Sequence, residues 1–237
     1  MNSSKTADSF QQAFILHRRP YSNNSLLVEC FTAGYGRFPA IARGVSSGKS
    51  RTGNLLQPFS PLVIQWRGKG EVVSLVKYDQ DNKPVLLKGK SLLCGFYLNE
   101  LAMRLLQRND PHPNIFHSYA KAITDLACNN PVDPILRQFE LKLLHELGYG
   151  ITLDYDAETG QPVEQDKYYD FVLEQGPVRS SRKTEQTISG RTLHALSNQT
   201  AMDVEQWREA RRLTRKILNF YLGNVPLKSR DLFRTKL

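Results

Sequence analysis

Residues 26–42 read Leu-Leu-Val-Glu-Cys-Phe-Thr-Ala-Gly-Tyr-Gly-Arg-Phe-Pro-Ala-Ile-Ala, and their pattern decides the fold class. Leu26–Thr32 and Arg37–Ala42 are short, mostly apolar runs of strand length, and Gly34-Tyr35-Gly36 between them supplies backbone that turns freely. Working outward, Ala13–His17 comes before them, ahead of the turn chemistry of Pro20-Tyr-Ser-Asn-Asn24. Leu62–Trp66 and Val72–Tyr78 come after them, past a Gly/Ser-rich loop from Gly44 to Gly53 and on either side of Gly68-Lys69-Gly70. Five short strands in roughly 70 residues, with one long polar loop, suit a small barrel. The polar first ten residues predict a frayed start.

Past Asn82-Lys83-Pro84 the apolar period lengthens from two to about 3.6. Leu93, Tyr97, Leu101 and Leu105 share one helical face, and a second helix is expected over Ile115–Ala127. A third runs from Pro134 to Leu147, with Asp133 as N-cap, a stripe of Leu136, Phe139, Leu143 and Leu147, and Gly148 to end it. Residues 151–190 are turn-rich and mixed. A last helix follows from Val204 to Leu222, capped by Asp203. The reading is α+β: a β-barrel domain over residues 1–82, then a mostly α-helical domain over 83–237 with an irregular insertion.

Hydrophobic residues make up 40% of the 237, enough for a real core and far from the composition of disorder. No apolar run approaches the roughly 18 residues of a membrane span, and the first residues lack a basic-then-apolar leader pattern. Cys30, Cys94 and Cys128 are too few and too scattered for a disulfide framework or a metal knuckle. Each is expected to pack as a small buried hydrophobe in the reducing cytoplasm.

The charge is less ordinary. Thirty-two Lys and Arg against 23 Asp and Glu leave +9, which favours polyanionic partners. Between Glu29 and Glu71 there is no acidic residue, while Arg37, Arg43, Lys49, Arg51, Arg67 and Lys69 all fall inside. They interleave with Tyr35, Phe38, Phe59 and Trp66. Cations that track phosphates and rings that stack on unpaired bases are what a single-strand binder needs, although aromatic residues in a barrel are more often its core. On the last helix Arg208, Arg211, Arg212 and Arg215 line one face, opposite Trp207, Ala210, Ile217 and Tyr221. A basic helix face is usually just solvated; here it is a second candidate DNA surface.

Chemistry is hard to find. The stretch Arg43-Gly-Val-Ser-Ser-Gly-Lys-Ser50 imitates a phosphate loop, but Arg43 stands where the first glycine must be and no strand-to-helix context surrounds it. His145-Glu-Leu-Gly-Tyr149 begins like a zinc-protease motif and has Tyr149 in place of the second histidine. Asp154 and Asp156 lie in a polar loop, where a split pair of carboxyl pKa values is not expected. No nucleophile and base pair declares itself, so a non-enzymatic binding role without a cofactor is expected.

Five runs carry a resemblance over nearly the whole chain. Ala13-Phe-Ile-Leu-His-Arg-Arg-Pro-Tyr-Ser22, Gly36-Arg-Phe-Pro-Ala-Ile-Ala-Arg-Gly44 and Leu56-Gln-Pro-Phe-Ser-Pro-Leu62 resemble the N-terminal barrel of the RecO family. Leu136 to Gly150 is similar to its central helix, and Pro226-Leu-Lys-Ser-Arg-Asp-Leu-Phe233 to its C-terminal motif. The likeness is closest to the proteobacterial branch. It implies an OB-fold followed by a helical domain, binding of single- and double-stranded DNA, and annealing of complementary strands. It also implies partnership with RecR and with the single-stranded DNA-binding protein in the RecF pathway of gap repair, in the cytoplasm at the nucleoid. Many members carry a four-cysteine zinc site after the Leu-Gly-Tyr helix. Here Asp156 and Thr159 take the places of the first cysteine pair and no cysteine follows Cys128, so no metal is expected. The resemblance further gives Arg137 a role in clamping the terminal carboxylate of the acidic tail of the single-stranded DNA-binding protein. The sequence by itself reads Arg137 as a solvated helix residue.

Two other readings stay open on the residues alone. One is an RNA-binding OB-fold protein, which a basic barrel permits. The other is an enzyme acting on nucleic acid, which would need clustered acids for metal where the basic barrel has none.

Overall fold

The structure, a computed structural model, describes residues 7–45, 54–81, 83–149, 152–223 and 225–233. The five expected strands are present: β1 (Ala7–Ser22), β2 (Ser25–Thr32), β3 (Gly36–Arg43), β4 (Leu62–Arg67) and β5 (Val73–Gln80). They close into a barrel in the order β1-β2-β3-β5-β4, antiparallel throughout except where β3 meets β5. This is the OB-like arrangement. One strand closes the ring by serving two partners: Ala13 of β1 faces Thr32 of β2 and also Leu62 of β4. A bulge between Ile15 and His17 lets the long strand bend past that point. The chain is in this strand from Ala7 onward, which corrects the expected fraying for residues 7–10: Ala7 pairs with Trp66 and is buried.

The barrel core takes alternate residues of every strand. Ile15, Cys30, Phe38, Ala40, Ile64 and Trp66 point inward and are almost wholly buried. Each large apolar side chain so removed from water contributes about 1.5–3 kcal/mol, and Ile64→Ala would cost about 2–5 kcal/mol through the void it leaves.

Part of the outer face is covered. Helices α1 (Gly89–Leu105) and α2 (Pro113–Ala127) pack there. Phe14 and Phe31 on the strands meet Phe116 and Tyr119 of α2 in tilted and edge-on ring contacts at 5.0–6.0 Å. The buried Asn99 donates to the Leu16 carbonyl at 2.7 Å and accepts from the Tyr119 hydroxyl at 2.6 Å, so its amide costs little to bury. Gly36, at a φ of +66°, starts β3 so close to Asp110 that a Cβ would lie 2.1 Å from the Asp110 carbonyl oxygen; no other residue fits.

Compactness divides the chain into Met1–Val132 with Leu227–Leu237, and Asp133–Pro226. In the first unit α6 (Lys228–Leu232) packs on α1, and the Glu100 carboxylate accepts the amides of Lys228 and Ser229 at 2.9 and 2.8 Å. Burial pulls the Glu100 pKa up, but the Ser229 and Lys228 donors pull harder and hold it below the ordinary carboxylate range.

The second unit holds α3 (Val132–Glu146), a sheet in the order β7-β6-β8, α4 (Gly190–Asn198) and α5 (Val204–Leu222). The sheet, from β6 (Tyr168–Val172), β7 (Gly176–Ser180) and β8 (Ile188–Ser189), lies where the sequence reads as irregular. Asp133 falls within the first turn of α3 rather than capping it. Gly148, at a φ of +77°, ends that helix as expected: its amide bonds the His145 carbonyl and the Tyr149 amide reaches back to Leu144. Asp203 caps α5 in a reciprocal box with Gln206. Glu209, buried on α5, accepts from Ser189 and Thr192 at the start of α4 and ties the two helices together. Cys30 and Cys94 are buried as expected, while Cys128 is exposed.

Candidate nucleic-acid interface

Strand register brings cations together that the sequence separates. Arg19 of β1 faces Leu27 of β2, Leu27 faces Ile41 of β3, Ile41 faces Ser74 of β5, and Ser74 faces Arg67 of β4. Directly opposed residues share a face, so Arg19-Leu27-Ile41-Ser74-Arg67 is one row across the outside of the barrel. Its middle members are half-buried and its arginines exposed. A second row, Ser22-Ser25-Arg43, lies beside it and ends in an exposed arginine. Exposed Lys69 stands in the turn between β4 and β5. Arg43 and Arg67 belong to the expected set; Arg19 does not. It lies outside the acid-free stretch, and at four residues from the inward Ile15 simple alternation would turn it inward; the bulge between Ile15 and His17 shifts the phase and brings it to the outer face, which strand alternation does not announce. Lys49 and Arg51 lie outside the described residues, as does most of the phosphate-loop imitation.

Arg37 is corrected. It belongs to β3, but its guanidinium donates to Glu29 at 2.5 Å and to the Leu106 carbonyl at 2.7 Å. Arg108 reaches the same carboxylate at 3.1 Å. A buried carboxylate must be paired to be tolerated, and two arginines serve Glu29 here. Arg37 therefore fastens the barrel to the segment after α1 and is not a surface cation.

The expected ring platforms are corrected as well. Trp66 is 1% exposed, and Phe38 and Phe59 are buried beside it in rank. Trp66 and Phe38 stand in phase with the inward residues and pack on each other at 4.6 Å. Tyr35 is 40% exposed, but its ring meets Trp66 edge-on at 5.0 Å.

On α5 the four arginines are exposed, as their spacing predicts. Arg211 nonetheless grips Asp133 with two bonds from one nitrogen, at 2.7 and 2.8 Å, and Arg212 donates to the Thr187 carbonyl at 2.5 Å.

A groove of about 640 Å³ runs along α3 within the second unit. Leu141, Leu153, Leu196, Met202 and Trp207 give it apolar walls, with Lys142 and His145 among its polar residues. Arg137 lines it too, but the expectation that Arg137 stands on the exposed side of the helix is corrected: it is 5% exposed. Its Nε donates to Glu140 at 2.6 Å, its Nη2 makes a second bond to that carboxylate, and Asp133 lies 4.0 Å away. Glu140 is wholly enclosed and requires such a cation.

At the first of the places where the resemblance would set a cysteine, the Asp156 carboxylate accepts the amides of Glu158, Thr159 and Arg179, each at 2.9 Å. Burial raises its pKa, but those amide donors outweigh it and leave the value below the usual range. The oxygens are thus occupied in pinning the loop to β7, and this residue set does not fit a zinc ion. Among the described residues no group of three His, Cys, Asp or Glu is placed to hold a metal, and no helix is long and apolar enough to cross a membrane.

Comparison with known proteins agrees with this architecture. The family described as recombination protein O, N terminal, matches residues 8–80, and recombination protein O, C terminal, matches residues 87–231. The chain is 40% identical to DNA repair protein RecO of Nitrosospira multiformis over 237 residues, covering 99% of this chain and 98% of that one. It is 41% identical to the protein of the same name from Vibrio parahaemolyticus over 98% of this chain and 95% of that one, and 43% identical to that of Nitrosococcus oceani over 94% and 91%. With both halves matched in order, the chain belongs to the recombination protein O (RecO) family.

Proposed function

We propose that this protein is a DNA repair and recombination mediator that binds single- and double-stranded DNA and anneals complementary strands without catalysing a reaction. The observation that carries the reading is the outer row of the barrel, where Arg19 and Arg67 flank half-buried Leu27 and Ile41, with Arg43 beside them. Exposed cations on a surface with apolar patches serve a polyanion whose bases are unpaired: charge holds the phosphates, and apolar surface meets the bases. Lys69 extends the row, and Lys49 and Arg51 belong to the same proposed set. Arg208, Arg211, Arg212 and Arg215 on α5, once the contacts they make within the protein yield, form a second phosphate-binding face suited to duplex DNA.

The groove along α3 suits the acidic C-terminal tail of the single-stranded DNA-binding protein, its walls taking an apolar side chain and Lys142, His145 and the Arg137 edge its carboxylates. In this reading the protein works with RecR in the RecF pathway of gap repair, in the cytoplasm at the nucleoid. The test is annealing of complementary oligonucleotides by the purified protein with neither nucleotide nor added metal. Annealing that outpaces the spontaneous rate, and that excess structured RNA does not suppress, is expected. No acceleration, or preference for structured RNA, would replace this reading with an RNA-binding one.

A further inference from the structure

The barrel needs an exposed ring if it is to stack a base, and the five rings within its acid-free stretch do not supply a free one. Trp66, Phe38 and Phe59 are buried, Phe31 is buried against Phe116 and Tyr119, and Tyr35 is held edge-on against Trp66. Two other rings on the barrel are exposed, Phe10 at 49% and Tyr21 at 53%. Their surroundings differ. Phe10 lies between Asp8 and Gln11, in the stretch where β1 loses register with β4, and Gln65 bonds the backbone beside it. Tyr21 lies in the β1–β2 hairpin, in the register shift between Pro20 and Ser22.

That position matters. The residue before Pro20 is Arg19, which begins the outer row ending in Arg67. The residue after Tyr21 is Ser22, which begins the row ending in Arg43. Tyr21 is therefore the extra residue between the two cationic rows. A bulge bends its strand and re-aims the side chain it carries, and such bulges are found where a strand presents a residue to a ligand. Pro20 fixes the backbone just before it, which lowers the entropy lost on ordering the ring. The Tyr21 side chain has no hydrogen-bond or ring partner in the described structure. We infer that Tyr21 is the platform on which this protein stacks a nucleobase of single-stranded DNA, with Arg19 and Arg43 holding the phosphates on either side. The inference rests on the proposed DNA-binding role of the outer face and names the ring that role requires.

The experiment titrates the full-length protein with oligothymidylate and with an abasic oligomer of the same length, which keeps the phosphates and lacks the bases. Tyr21→Ala should weaken oligothymidylate binding about tenfold, the scale of one lost stacked base. It should leave the salt slope and the abasic affinity as they are. Tyr21→Trp should bind at least as tightly, and its added emission should be quenched by oligothymidylate and not by the abasic chain. Phe10→Ala should bind both as the parent does. Unchanged oligothymidylate affinity in Tyr21→Ala, or an equal loss on both oligomers, would overturn the stacking role. The combined Arg43→Glu and Arg67→Glu variant separates this from failure of the broader reading: if it binds both oligomers normally, the face itself carries no DNA, whatever Tyr21 does.

Discussion

The Arg37 guanidinium meets the Glu29 carboxylate at 2.5 Å, and both side chains are largely shielded from water, 14% and 7% exposed. This pair links β2, β3 and the segment carrying Arg108. An arginine inside an otherwise cationic stretch is thereby a residue of the fold, and its removal should read out in stability. Arg37→Ala leaves a buried carboxylate with Arg108 alone and should cost about 3 kcal/mol in urea unfolding. The folded fraction should bind DNA as before. A stable variant with weakened binding would return Arg37 to the surface set.

Arg43 and Arg67 should behave in the opposite way. Charge reversal of both should leave the unfolding midpoint within about 0.5 kcal/mol, as surface changes do. The dependence of log affinity on log salt for single strands should flatten by about 1.4, two contacts at about 0.7 each. An unaltered slope would place the phosphates elsewhere.

In the second unit, Arg137 and Glu140 should be inseparable. Arg137→Ala alone strands the enclosed Glu140 and should destabilise the protein by about 3–5 kcal/mol. Replacing both, Arg137→Met with Glu140→Leu, should recover most of that loss, because well-packed apolar groups commonly substitute for a buried ion pair. The double variant then tests the groove cleanly. A labelled acidic tail peptide should bind it at least tenfold more weakly than the parent if Arg137 contributes a charge-assisted contact. Equal binding would leave the tail to Lys142 and His145.

Asp156 should give the loop after α3 an acid limit. Its folded pKa is depressed, because three amide donors outweigh the burial that would raise it. Such a group contributes stability that is fully present above the unfolded carboxylate value of about 4 and is lost as pH falls through the lower folded value. Thermal melts between pH 6 and pH 3 (a range set by that value of about 4) should therefore fall more steeply for the parent than for Asp156→Asn, which has no proton to take up. Parallel curves would show that the carboxylate carries no such increment.

The sequence was most legible where the burial period was clean. Ile64 and Trp66, or Phe38, Ala40 and Ala42, alternate with outward residues, so the strands could be read and, by the same phase, Trp66 and Phe38 could have been recognised as core. The sheet of β6, β7 and β8 was not legible, because strands of two and five residues interrupted by Gly176 and Pro177 give too few periods to count. Arg37 was missed as an internal residue for a different reason. Glu29 faces Pro39, two residues from Arg37, so the ion pair is a diagonal contact across a hairpin that no single strand displays. Arg137 was misplaced because helical spacing alone does not show that Glu140 is enclosed and draws it inward.

The carboxylate of Glu100 has a further bearing on how the molecule is made. The first compact unit is discontinuous: it needs Leu227 onward, which the ribosome delivers only after all of Asp133–Pro226. A nascent chain that has reached Pro226 already contains every barrel strand, every helix of the middle segment, and a Glu100 still waiting for the amides of Lys228 and Ser229. The middle segment, whose residues are contiguous, can fold while the unit flanking it is still open along α1. A premature stop at 226 would accordingly leave its mark on the helix that begins at Gly89, more than a hundred residues upstream of the break.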